Sequence, residues 1–84
     1  MNSLEYMARA IHQCERDITS IDKQQEIDRD YVTWSGADPG DVEFYKCQIE
    51  LNVIEKECLE RKLAVLRRWV RLTAKPDDSN GTTR

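Results

Sequence analysis

Residues 38–75, DPGDVEFYKCQIELNVIEKECLERKLAVLRRWVRLTAK, decide the architecture. Asp38 suits a helix N-cap, Pro39 the first helical position and Asp41 the favourable end of the helix dipole, so a helix begins here. Within it Phe44, Cys47, Leu51, Ile54, Cys58, Val65 and Leu72 follow a three- and four-residue rhythm, with Arg61 and Arg68 occupying two of the expected apolar slots. That rhythm is the seam of an amphipathic or coiled-coil helix. Pro76 cannot continue it, which places the helix at about residues 39–74.

Working toward the amino terminus, Gly36, Pro39 and Gly40 mark a break. Upstream of it Leu4, Met7, Ile11, Cys14, Ile18 and Ile21 repeat the same spacing, which predicts a helix over about residues 3–33. Asn2 can cap its start, and Glu5, three residues on, can reach back in a capping box. A connection at about 34–38 is too short for anything but antiparallel neighbours. The fold class is therefore all-α: an antiparallel two-helix hairpin over residues 1–75 with a coiled-coil-like seam. Residues 76–84 are polar throughout and read as a flexible tail.

The two seams propose a register. Met7 opposes Val65, Cys14 opposes Cys58, Ile18 opposes Ile54 and Ile21 opposes Leu51. Toward the turn, the same register sets Gln25 against Cys47 and Asp28 against Phe44, a polar weakening that predicts a looser tip. A single line of contact seldom stabilises so small a chain, and the 84 residues are 35% charged and 39% hydrophobic. Leu59, Leu63, Leu66 and Val70 form a further apolar stripe on the second helix. This stripe is the expected self-association face, completing a four-helix bundle as a homodimer, since two-fold dimers are the commonest oligomers; the alternatives are a docking face for a different protein and a first helix shifted to cover it.

Ile27, Tyr31 and Trp34 recur at i, i+4 and i+7 on the side away from the first seam, and large rigid rings of this kind anchor interfaces. The competing expectation is that Tyr31, Val32 and Trp34 fold over the hairpin tip and cover Phe44 and Tyr45. Charge supplies another candidate. The net charge of −3 conceals 14 acids against 6 bases in residues 1–60, and six bases with no acid in residues 61–76. Arg67, Arg68 and Arg71 are candidate partner-binding residues, able to meet phosphate or an acidic protein. Without an aromatic platform, a Gly-rich loop or a recognition-helix pattern, a nucleic-acid partner ranks behind a protein one.

Catalytic chemistry has little to stand on. His12 is the single histidine, and it lies two residues from Cys14, so the two side chains diverge on a helix. Cys14, Cys47 and Cys58 form no CxxC pair, which argues against a zinc site and a disulfide framework. Across packed helices Cys14 and Cys58 would stand too far apart for an unstrained disulfide. No cofactor or metal is implied. There is no apolar run of membrane-spanning length and no basic-then-apolar leader, so the expected location is the cytoplasm, that of the host if a phage encodes the chain. These readings converge on a non-enzymatic helical interaction module, an adaptor or an inhibitor of a larger protein of the kind phages and mobile elements encode. The alternatives are a nucleic-acid-associated regulator using the basic helix end and a structural subunit of a helical assembly.

Overall fold

The computed structural model describes residues 2–74, so the polar tail at 76–84 lies outside the described residues. Two helices, α1 (Ser3–Val32) and α2 (Pro39–Ala74), pack against each other along their lengths, and there is no strand among the described residues. The molecule is a plate one helix thick, 65 × 24 × 14 Å. Local chemistry sets both ends of the turn. The capping box forms at the start of α1: Glu5 N–H donates to Asn2 Oδ1 at 2.8 Å, and Asn2 N–H donates to Glu5 Oε1 at 3.0 Å. At the end of α1 the Thr33 hydroxyl donates to the carbonyls of Arg29 and Asp30, each at 3.1 Å, and the Arg29 carbonyl also accepts the Thr33 backbone N–H at 3.3 Å. Asp38 caps α2 as its sequence position implies, its Oδ2 accepting from the N–H groups of Gly40 at 3.1 Å and Asp41 at 3.3 Å.

Alongside these caps, Tyr31 ties the end of α1 to the start of α2. Its hydroxyl donates to Asp41 Oδ2 at 3.2 Å and accepts from Asp38 N–H at 3.4 Å, while its ring lies 4.7 Å from that of Tyr45. A Cβ at Gly36 would come within 2.6 Å of the Trp34 ring, so a side chain there would displace the indole. The tip is thus a cross-linked turn, and α1 continues as helix to Val32 past the polar positions Gln25 and Asp28.

The side of α2 that faces α1 differs from the one its most regular apolar rhythm suggests. Leu63 is buried at 7% exposure, and Tyr45, Ile49, Asn52, Lys56, Leu59, Leu66 and Val70 are half-buried with it, tracing a single stripe. Phe44, Leu51, Ile54 and Leu72 are each more than half exposed, and Cys47 and Cys58 are exposed as well. The two stripes of α2 have exchanged roles. Leu59, Leu63, Leu66 and Val70 are the hairpin's own seam, and this corrects their assignment as an outward self-association face. The register moves with the stripe: Lys56 Nζ donates to Asp22 Oδ1 at 2.6 Å, and Arg67 reaches Glu15 Oε2 at 2.6 Å. Cys14 is buried while Cys58 is not, so the Cys14–Cys58 opposition does not occur.

Polarity matching accounts for the exchange. Along its packed side α1 runs from apolar (Met7, Ile11, Cys14, Ile18, Ile21) to polar (Gln25, Asp28) as it approaches the turn. The Leu59 stripe mixes Asn52 and Lys56 with Tyr45 and Ile49 toward the turn and carries three leucines and a valine toward the open end, so its most apolar part meets the apolar half of α1 and no arginine is buried. The alternative stripe would press Phe44 and Cys47 onto the polar half of α1 and Arg61 and Arg68 onto its apolar half. A guanidinium buried without a partner costs several kcal/mol, enough to decide between stripes of similar apolar area. The hydrogen bond to Asp22 also holds Lys56 above the ordinary lysine pKa.

The core is small, and part of it is polar. Its buried apolar members are Cys14, Ile21 and Leu63. Asp28 has no exposed surface and Gln25 only 5%. Gln24 Nε2 donates to Asp28 Oδ1 at 2.9 Å, but Asp28 Oδ2 and Gln25 Nε2 have no hydrogen-bond partner. Such groups reduce stability and favour the register that places polar residues opposite them.

In dilute, monomeric protein, Leu63→Ala should lower stability by about 2–3 kcal/mol, and Val65→Ala by under about 0.5 kcal/mol. Chemical denaturation followed by circular dichroism checks both, and the reverse order would restore the Val65 seam. Asp28→Leu should raise the thermal midpoint, gaining about 1–3 kcal/mol by removing an unmet buried acceptor. A fall in the midpoint would mean that the carboxylate makes a stabilising contact.

Candidate interaction surfaces

Among the described residues, a stripe of exposed apolar side chains lies on the side of α2 turned away from α1. Phe44, Cys47, Leu51, Ile54, Cys58, Val65 and Leu72 share it by helical spacing, with Val65 and the neighbouring Trp69 each about half exposed. On a helical projection this face lies roughly 150° from the stripe that packs on α1, so α1 cannot curl round to cover it. Contiguous exposed apolar surface on this scale marks contact sites. Helical spacing lines one of its edges with Glu43, Glu50 and Glu57, and the other with Gln48, Glu55, Lys62 and Trp69. Arg61 and Arg68 sit within it. These seven residues carry a clear signal in the sequence, but the same rhythm is what a packed seam would show. The two arginines are the clue that this stripe faces outward.

At the tip, the three residues of the predicted aromatic patch separate. Tyr31 is half-buried between the turn and Tyr45, whereas Phe44, which the tip-packing expectation would also cover, is exposed. Trp34 packs 5.9 Å from Tyr31 and against Gly36, yet remains 59% exposed, and Ile27 is 60% exposed on α1. Phe44, edge-on to Tyr45 at 5.3 Å, joins the tip aromatics to the outer face of α2. The exposed apolar surface therefore runs from Trp34 through Phe44 along α2.

The basic end of α2 is split as well. Arg67 is engaged by Glu15, while Arg68 and Arg71 are exposed. Beside that ion pair lies an open groove of about 590 Å³ between the helices, bordered by Ile18, Thr19, Glu60, Leu63 and Ala64. Its mixed lining and shallow form are those of the crevice between two packed helices. A second groove, about 480 Å³, lies on the opposite side, bordered by Tyr6, Arg9, Ala10, Cys14, Asp17, Leu59 and Lys62.

His12 is exposed and Cys14 buried. Among the described residues, no group of three or more His, Cys, Asp or Glu side chains converges as a metal site would require, and no helix is long and apolar enough to cross a membrane. Comparison with protein-family models, with curated proteins and with solved structures gives no match.

Proposed function

We propose that this chain is a non-enzymatic helical interaction module, an adaptor or an inhibitor, that works in the cytoplasm by docking onto protein through the outer face of α2. The observation that carries the reading is the unpaired apolar stripe of Phe44, Leu51, Ile54, Val65 and Leu72 on a chain whose own core is so small. Removing apolar surface from water contributes about 25 cal/mol per Å². A chain that leaves so many apolar side chains outside its own fold thus has an unused source of binding free energy there. The charged edges and the two arginines within the stripe supply orientation and selectivity, since mispaired charges at an interface penalise wrong partners.

The test compares the wild-type chain with Leu51→Glu/Ile54→Glu, a pair of exposed substitutions whose helicity can be verified by circular dichroism. Immobilised wild-type protein should retain a specific protein from extracts of its native cell, and the variant should lose it. Binding should also shift the emission of Trp69, which borders the face. Retention by both proteins alike would contradict the proposed surface. Recovery of nucleic acid alone, released by salt, would overturn the protein-docking reading in favour of the basic end of α2.

A further inference from the structure

We infer that the outer face of α2 binds a second copy of this chain, with the two α2 helices antiparallel about a two-fold axis crossing between Leu59 and Glu60. The inference rests on the reading of this face as the docking surface and names its occupant. Charge order along α2 is the argument. From Asp41 to Glu60 the helix carries Asp41, Glu43, Glu50, Glu55, Glu57 and Glu60 against Lys46 and Lys56; from Arg61 onward it carries Arg61, Lys62, Arg67, Arg68 and Arg71 with no acid through Ala74. A two-fold contact must be complementary to itself. Parallel helices would lay acid on acid and base on base, whereas antiparallel helices set each acidic half on a basic half.

The register follows from the same residues. With the axis at that point, Ile54 meets the partner's Val65, Leu51 meets the stem of the partner's Arg68 and Cys47 meets the partner's Leu72. Beside this seam Glu50 faces the partner's Arg68 and Arg71, Glu55 faces the partner's Lys62, and Glu57 faces the partner's Arg61. Sliding one heptad toward the tip brings Glu55 against the partner's Glu55. Sliding one heptad the other way carries Cys47 and Leu51 past the end of the partner's α2.

Arg61 and Arg68 then find a role. Each occupies an apolar slot of the stripe, and a wholly apolar partner would strand their charges. In this pairing their stems cover apolar surface while the guanidinium groups reach carboxylates. The shared face is about 38 Å long, from Cys47 to Leu72. Because it lies nearly opposite α1, the four helices form a flat row with the two α2 helices in the middle, rather than a square bundle.

Sedimentation equilibrium of the full chain, at low and high ionic strength, tests the inference. The wild type should dimerise, more weakly at high ionic strength. Glu55→Lys should weaken the dimer by about tenfold, because it replaces two symmetry-related attractions by repulsions. Lys62→Glu should do the same, and Glu55→Lys/Lys62→Glu together should restore affinity to within about threefold of wild type. A parallel pair would set Glu50 beside the partner's Glu55, so Glu55→Lys would strengthen it, and that sign overturns the inference. A monomeric wild type also overturns it. If the Leu51→Glu/Ile54→Glu variant still loses a retained protein in that case, the docking surface stands and its occupant is a different protein. If the variant loses nothing, the docking reading falls too.

Discussion

A hairpin of two helices has one line of contact, and α2 carries two apolar stripes that could fill it. That constraint governs the rest of the molecule. Whichever stripe packs on α1, the other is left facing water, and its composition then determines what the surface can bind. Selection falls on the stripe whose most apolar part meets the apolar half of α1 and which buries no arginine. Leu59, Leu63, Leu66 and Val70 meet the apolar half, while Asn52 and Lys56 lie along the half that contains Asp22, Gln25 and Asp28. The stripe left outside is the more regular of the two and contains two arginines.

This choice links stability to function. The core is kept small, with Asp28 fully buried and one of its oxygens unmet. Such an arrangement forgoes stability and penalises registers that would press apolar residues onto the carboxylate. The cross-links at the tip, from the Tyr31 hydroxyl to Asp41 and from Asp38 to the first N–H groups of α2, hold the two helices in phase where the packing is least apolar. Fixing the phase at the tip keeps Phe44, Leu51 and Ile54 on the outside. The outward face is thus a consequence of the polar order of α1 and of the chemistry of the turn.

Much of this was legible in the sequence. Asn2, Glu5, Asp38 and Pro39 mark the helix starts through local rules that need no tertiary information, and the three- and four-residue rhythm identifies both helices and the seam of α1. The seam of α2 was not legible from periodicity, because two stripes satisfy the period and the more regular one, from Phe44 to Leu72, is the one left out. Periodicity measures how well a stripe can be buried, not against what. The discriminating information was present in Arg61, Arg68, Asn52 and Lys56, but it becomes decisive only when the polar positions of the opposing helix are aligned with them. The aromatic patch divided for a related reason. Helical spacing groups Ile27, Tyr31 and Trp34, but α1 ends at Val32, and the turn takes Trp34 off the shared face.

In this structure α1 packs on the Leu59 stripe and leaves the Phe44 stripe outside. Nuclear Overhauser contacts among methyl groups test it most directly, because Ile18 and Ile21 point into the seam and every candidate neighbour on α2 carries a methyl group. The account predicts contacts from Ile18 and Ile21 to Leu59 and Leu63. Contacts from the same residues to Ile54 and Leu51, with Leu63 showing none to α1, would contradict it.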